Sequence, residues 1–83
     1  MTRYESGALA PADASADALY DLGIACASGR SAPADLVSAH KWFNLAAMKG
    51  VNEARKWRAQ ISSEMSAEQI AEAQRQARKW LVS

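Results

Sequence analysis

The chain has 83 residues, enough for one small domain and a modest core. Hydrophobic residues make up 49% of it against four glycines and two prolines, which excludes collagen-like, low-complexity and wholly disordered classes. Ten lysines and arginines against nine acids leave a net charge of +1, too even a balance for a surface built as a whole to bind nucleic acid or an anionic membrane.

Residues 1–12 show no hydrophobic period and close around Pro11, so they read as a flexible N-terminal lead-in to a domain over 13–83. The first predicted helix runs from about Asp13 to Ser28, capped by Asp13 or Ser15 and stopped by Gly29. Ala18, Leu19, Leu22, Ala25 and Cys26 form its apolar stripe. A short connection over Arg30–Ala34 contains Pro33. Asp35 is a good N-cap for the second helix, which turns Leu36, Ala39, Trp42, Phe43, Ala46 and Ala47 inward and ends at Lys49-Gly50. The third helix begins near Asn52 and carries Ala54, Trp57, Ile61 and Met65. The fourth has the clearest start: Ser66 and Gln69 spell a capping box, after which Ile70, Ala73, Ala77, Trp80 and Leu81 recur at helical spacing.

No stretch alternates with period two, so the fold class is all-α. Short connections predict two antiparallel αα-hairpins. Alanines at 18, 25, 39, 46 and 47 allow close helix approach in the first of them. Gly23 inside a helix costs about 1 kcal/mol relative to alanine, so its space should be taken by a bulky residue of the next helix, Trp42 or Phe43.

The offsets within the first hairpin carry more than a helix prediction. Ala18, Leu22, Gly23 and Gly29, then Asp35, Ala39, Trp42, Ala46, Ala47 and Gly50, fall in the order A-x3-L-G-x5-G and D-x3-A-x2-W-x3-A-A-x2-G. In these positions residues 13–50 resemble a Sel1-like repeat, an αα-hairpin unit related to tetratricopeptide repeats. Cys26 stands where that family usually has tyrosine, and the loop Gly29-Arg30-Ser31-Ala32 departs from the common G-x-G-V. Residues 51–83 resemble a degenerate repeat or a C-terminal cap: Ala54 follows Ala18 by 36 positions, but Arg58-Ala59 replaces the Leu-Gly pair. The resemblance implies a short right-handed αα superhelix, an adaptor or scaffold role without catalysis, and a bacterial source. Because stacked repeats bury their cores against neighbours, and about three are commonly needed, it also leaves a homo-oligomer open.

The resemblance places the binding face on the concave surface lined by the first helix of each hairpin. There the first helix offers Asp17, Tyr20, Asp21, Ile24 and Ser28. Tyr20 and Ile24 are apolar anchors for a partner peptide or helix, and the two carboxylates favour a partner with basic residues. The plainer alternative has Tyr20 and Ile24 simply covering the capping hairpin.

Charge divides unevenly along the chain. Residues 1–48 carry three bases and five acids, and residues 49–83 carry seven bases and four acids. Arg55, Arg58, Arg75, Arg78 and Lys79 around Trp57 make an alternative basic surface for nucleic acid, unless Glu53, Glu64, Glu68 and Glu72 neutralise it. A structural subunit of a larger assembly is a third class.

Catalytic patterns are poor. Ser38-Ala39-His40-Lys41 spells S-x-x-K, but S-D-N and K-T-G are missing. His40 is the only histidine and is expected on the surface, and Cys26, the only cysteine, is expected inward as a small hydrophobe. The Asp13, Asp17, Asp21 series reads as a solvated acidic face beside a helix N-terminus. The expectation is therefore a non-enzyme without cofactor or metal. With no signal-like segment and no apolar run of membrane length, the expected location is cytoplasmic, without membrane insertion.

Overall fold

Helix starts are set by side chains that satisfy backbone N–H groups left open by the first turn. The computed structural model describes residues 14–29 and 33–82; the lead-in over 1–12, Asp13 as a cap and the Arg30–Ala32 part of the connection lie outside the described residues. Ser15 accepts from Ala18 N–H at 3.1 Å and opens α1 (Ala16–Ser28). Asp35 accepts from Ser38 N–H at 3.1 Å and opens α2 (Leu36–Met48). Before α4 (Ala67–Leu81), the Ser66 hydroxyl accepts from Gln69 N–H at 3.1 Å while the Gln69 side chain accepts from Ser66 N–H at 2.8 Å, a complete capping box. Only α3 (Asn52–Ser62) lacks such a device, since its N-cap is Val51. Gly29 leaves α1 at φ 69° and Gly50 follows α2 at φ 103°, the left-handed region that favours glycine.

Every described element is a helix, and the fold is all-α. α2 is its centre, with α1, α3 and α4 all packed on it. The first hairpin is antiparallel: Lys49 at the end of α2 donates to the carbonyl of Ala14 before α1 at 3.0 Å, and Asp35 N–H at the start of α2 donates to Cys26 C=O near the end of α1 at 2.9 Å. α3 also runs antiparallel to α2, with His40 meeting Ser62 and Asn44 meeting Arg58. α4 crosses α2 through Trp42 and Trp80, whose rings meet edge to face at 89° with centroids 6.1 Å apart. The second hairpin thus holds together chiefly because α3 and α4 both dock on α2.

Three neighbours around one helix account for an unusually wide buried arc. Ala39, Trp42, Phe43, Leu45, Ala46 and Ala47 are all core, joined by Leu19, Ala54, Ile61, Ala77 and Trp80. The same crowding overturns one expectation: His40 is not on the surface but only 3% exposed, because α3 covers its side of α2. Lys41 is buried too, at 6% exposure, with its ammonium 4.2 Å from the centre of the Trp42 ring. α1 packs mainly on α2, so its buried strip is narrow: Leu19 and Gly23 are buried, whereas Ala18 and Ala25, expected to line the hairpin, are exposed. Leu81, expected inward, is 48% exposed because Trp80 takes the inward position at that level and the next residue is turned about 100° away. Among the described residues no helix is long and apolar enough to cross a membrane.

Candidate functional site

α1 and α3 are the first helices of the two hairpins, and one aromatic group joins them across α2. The Tyr20 and Phe43 ring centroids are 5.7 Å apart and tilted by 59°. Phe43 in turn stacks on Trp57, at 5.9 Å and 10°. The indole N–H of Trp57 donates to the Tyr20 hydroxyl at 3.0 Å. Phe43 is fully buried, Tyr20 is half-buried, and Trp57 remains 39% exposed. The result is a fixed aromatic platform whose base belongs to the core and whose last ring meets water.

The residues expected on this face divide into two kinds. Tyr20 and Ile24 are half-buried and pack against the core, and Tyr20 reaches α3. Covering the neighbouring helix and contributing to a surface are therefore not alternatives for Tyr20, which does the first and remains partly open. Asp17, Asp21 and Ser28 are exposed, and Ser28 turns its hydroxyl back to the Ala25 carbonyl at 3.1 Å. Trp57 is the member of this face that the sequence reading assigned elsewhere. A signal for it was present, because Trp57 follows Tyr20 by 37 positions, nearly the 36-residue offset between Ala18 and Ala54. On α3, Glu53 lies one turn before Trp57 and pairs with Lys56 at 3.2 Å.

Of the basic residues expected around Trp57, two are engaged within the fold. Arg58 is half-buried and donates to the Asn44 side chain at 2.6 Å. Arg75 donates through Nε to Glu72 at 3.0 Å, while Arg55, Arg78 and Lys79 are exposed. The Glu72 carboxyl is held below its usual range by hydrogen bonds from Gln76 and then Arg75.

Residues with reactive side chains are turned to structural ends. In the S-x-x-K segment the Ser38 hydroxyl donates to the Asp35 carboxylate at 2.8 Å, and Lys41 lies over Trp42. Burial lowers the Lys41 pKa, although Cys26 and Asp35 act in the opposite direction. Burial, and then the Asp35 carboxylate, raise the pKa of the half-buried Cys26 thiol. The His40 Nε2 and Ser62 hydroxyl are 3.0 Å apart, whereas His40 Nδ1 is buried without a hydrogen-bond partner among the described residues. No cluster of three or more metal-ligating side chains occurs among the described residues.

The chain matches no family model, no curated protein and no solved structure.

Proposed function

We propose that this chain is a non-catalytic protein–protein interaction module of the Sel1-like repeat kind, an adaptor or scaffold acting in the cytoplasm. Its partner is a peptide or helix that docks on the face shared by α1 and α3. The observation that carries this reading is Trp57, a large aromatic left 39% exposed while Phe43 and Tyr20 fix its position. Exposed, rigidly held aromatics lose little entropy on binding and are the usual anchors of protein interfaces. Ile24 extends the apolar area along α1, and Asp17 and Asp21 supply its charged edge. The spacing of Leu22-Gly23, Asp35, Ala39, Trp42, Ala46 and Ala47 supports the repeat assignment. The Gly23–Phe43 contact gives the glycine in that pattern a physical reason.

Binding to nucleic acid through the basic surface is the weaker reading, because Arg58 and Arg75 are engaged within the fold. Capture from native lysate, with and without nuclease, separates the two. Under the interaction reading a specific protein survives nuclease, is lost with Ile24→Asp and is retained with Arg75→Glu or Arg78→Glu. Recovery that disappears with nuclease and falls with the two arginine variants reverses the assignment.

A further inference from the structure

We propose that Trp57 is a receptor for a cationic side chain, and that the segment docking on the α1–α3 face carries an arginine or lysine that lies over its free ring face. This rests on the interaction-module reading and specifies the chemistry of its partner. The indole is prepared for that use on two sides. Phe43 stacks on one face at 5.9 Å and 10°, and Tyr20 ties down the N–H edge at 3.0 Å. Trp57 nevertheless remains 39% exposed, so part of its ring stays open to water.

A contrast among the three tryptophans points the same way. Lys41 lies 4.2 Å from the Trp42 ring centre, and Lys49 lies 5.9 Å from that of Trp80. Among the described residues no cation of this chain covers Trp57. Of the nearby bases, Lys56 pairs with Glu53 and Arg58 donates to Asn44, while Arg55 is exposed. The two lysine-capped rings are buried, and the ring without a cation is the exposed one.

Charge around the platform complements such a ligand. Asp17 lies one turn before Tyr20 on α1, and Asp21 directly follows Tyr20; both are exposed. On α3, Glu53 lies one turn before Trp57 and is also exposed, paired with Lys56. An approaching cation meets a platform whose α1 side carries two exposed carboxylates, which favours it electrostatically over a neutral or acidic segment.

The test uses the full chain and two synthetic amphipathic peptides of identical length. One carries arginine and leucine on one face, and the other replaces each arginine by neutral citrulline. The readout is the indole N–H resonance of Trp57, assigned by its loss in Trp57→Phe. The arginine peptide should shift that resonance while leaving those of Trp42 and Trp80 in place. Citrulline should weaken binding about tenfold, the size expected for a partly desolvated cation–π contact with its flanking carboxylates. Asp17→Asn combined with Asp21→Asn should weaken the arginine peptide about threefold, in line with exposed charge pairs. Equal binding of both peptides would overturn the cation proposal while leaving the interaction module standing. Failure of the arginine peptide to move Trp57 would overturn it as well, and the lysate capture then decides the module reading separately. A shift produced by protein concentration alone would assign the face to a second copy of the chain and likewise overturn the proposal.

Discussion

A Cβ atom at Gly23 would sit 2.7 Å from the Phe43 ring, closer than side-chain carbons approach one another. The ring cannot yield easily, because it is fully buried between Tyr20 and Trp57. Alanine is ordinarily the better helix residue by about 1 kcal/mol. Here the sign reverses, and Gly23→Ala should destabilise the fold by about 1–3 kcal/mol through overpacking. Urea unfolding of the variant checks this, and Phe43→Leu in the same background should recover part of the loss.

The capping box before α4 joins two backbone donors to two side chains within four residues. Ser66→Ala removes the acceptor for Gln69 N–H and should cost about 1 kcal/mol. In a domain of this size that lowers Tm by about 4–8 °C. Val51 offers the converse case: its backbone is extended, at φ −82° and ψ 102°, but it has no oxygen to cap α3. Val51→Thr keeps the shape, adds the oxygen and should raise Tm where Ser66→Ala lowers it.

Helix limits were legible in the sequence because caps and stops are local chemistry. Ser15, Asp35, Ser66, Gly29 and Gly50 all act where their positions predict. The core was legible along the apolar stripe of α2, in Ala39, Trp42, Phe43, Ala46 and Ala47. It was less legible on α2 as a whole, since three packed helices bury His40 and Lys41 outside the stripe. Ala18 and Ala25 failed for the opposite reason, because α1 packs mainly on one helix and leaves them open. Trp57 was ambiguous because three of its near neighbours in sequence are basic. Only folding shows that Arg58 turns to Asn44 and that the indole turns to Tyr20.

Cys26 should be a slow thiol. Burial is the main reason its pKa is raised, and the Asp35 carboxylate adds to it. Reaction requires the thiolate, so native labelling by iodoacetamide at pH 7.5 should run well below the rate for the urea-unfolded chain. Asp35→Asn should increase the native rate by removing the nearby negative charge, provided the rate is compared at concentrations of urea too low to unfold α2. An unchanged rate in that variant would leave burial as the sole cause.

His40 gives stability a pH dependence whose direction follows from its surroundings. Burial is the larger cause of its lowered pKa, and the Arg58 guanidinium adds to it, so the folded chain holds the ring neutral below its usual value of 6.5. One nitrogen meets the Ser62 hydroxyl, and the other is enclosed without a hydrogen-bond partner among the described residues, so a second proton would be a buried charge facing the Arg58 guanidinium. As pH falls below 6.5, the unfolded chain takes up a proton that the folded chain refuses. The unfolded state then binds more protons, and stability declines toward the folded pKa. Above that window the full stability is present. Urea unfolding at pH 7.5 and again at pH 5.5, where most carboxylates remain ionised, should therefore show a lower midpoint at the acidic value. His40→Gln keeps a polar contact for Ser62 but cannot take up the proton, so the difference between the two pH values should shrink. If it persisted undiminished, the acid sensitivity would belong to another group.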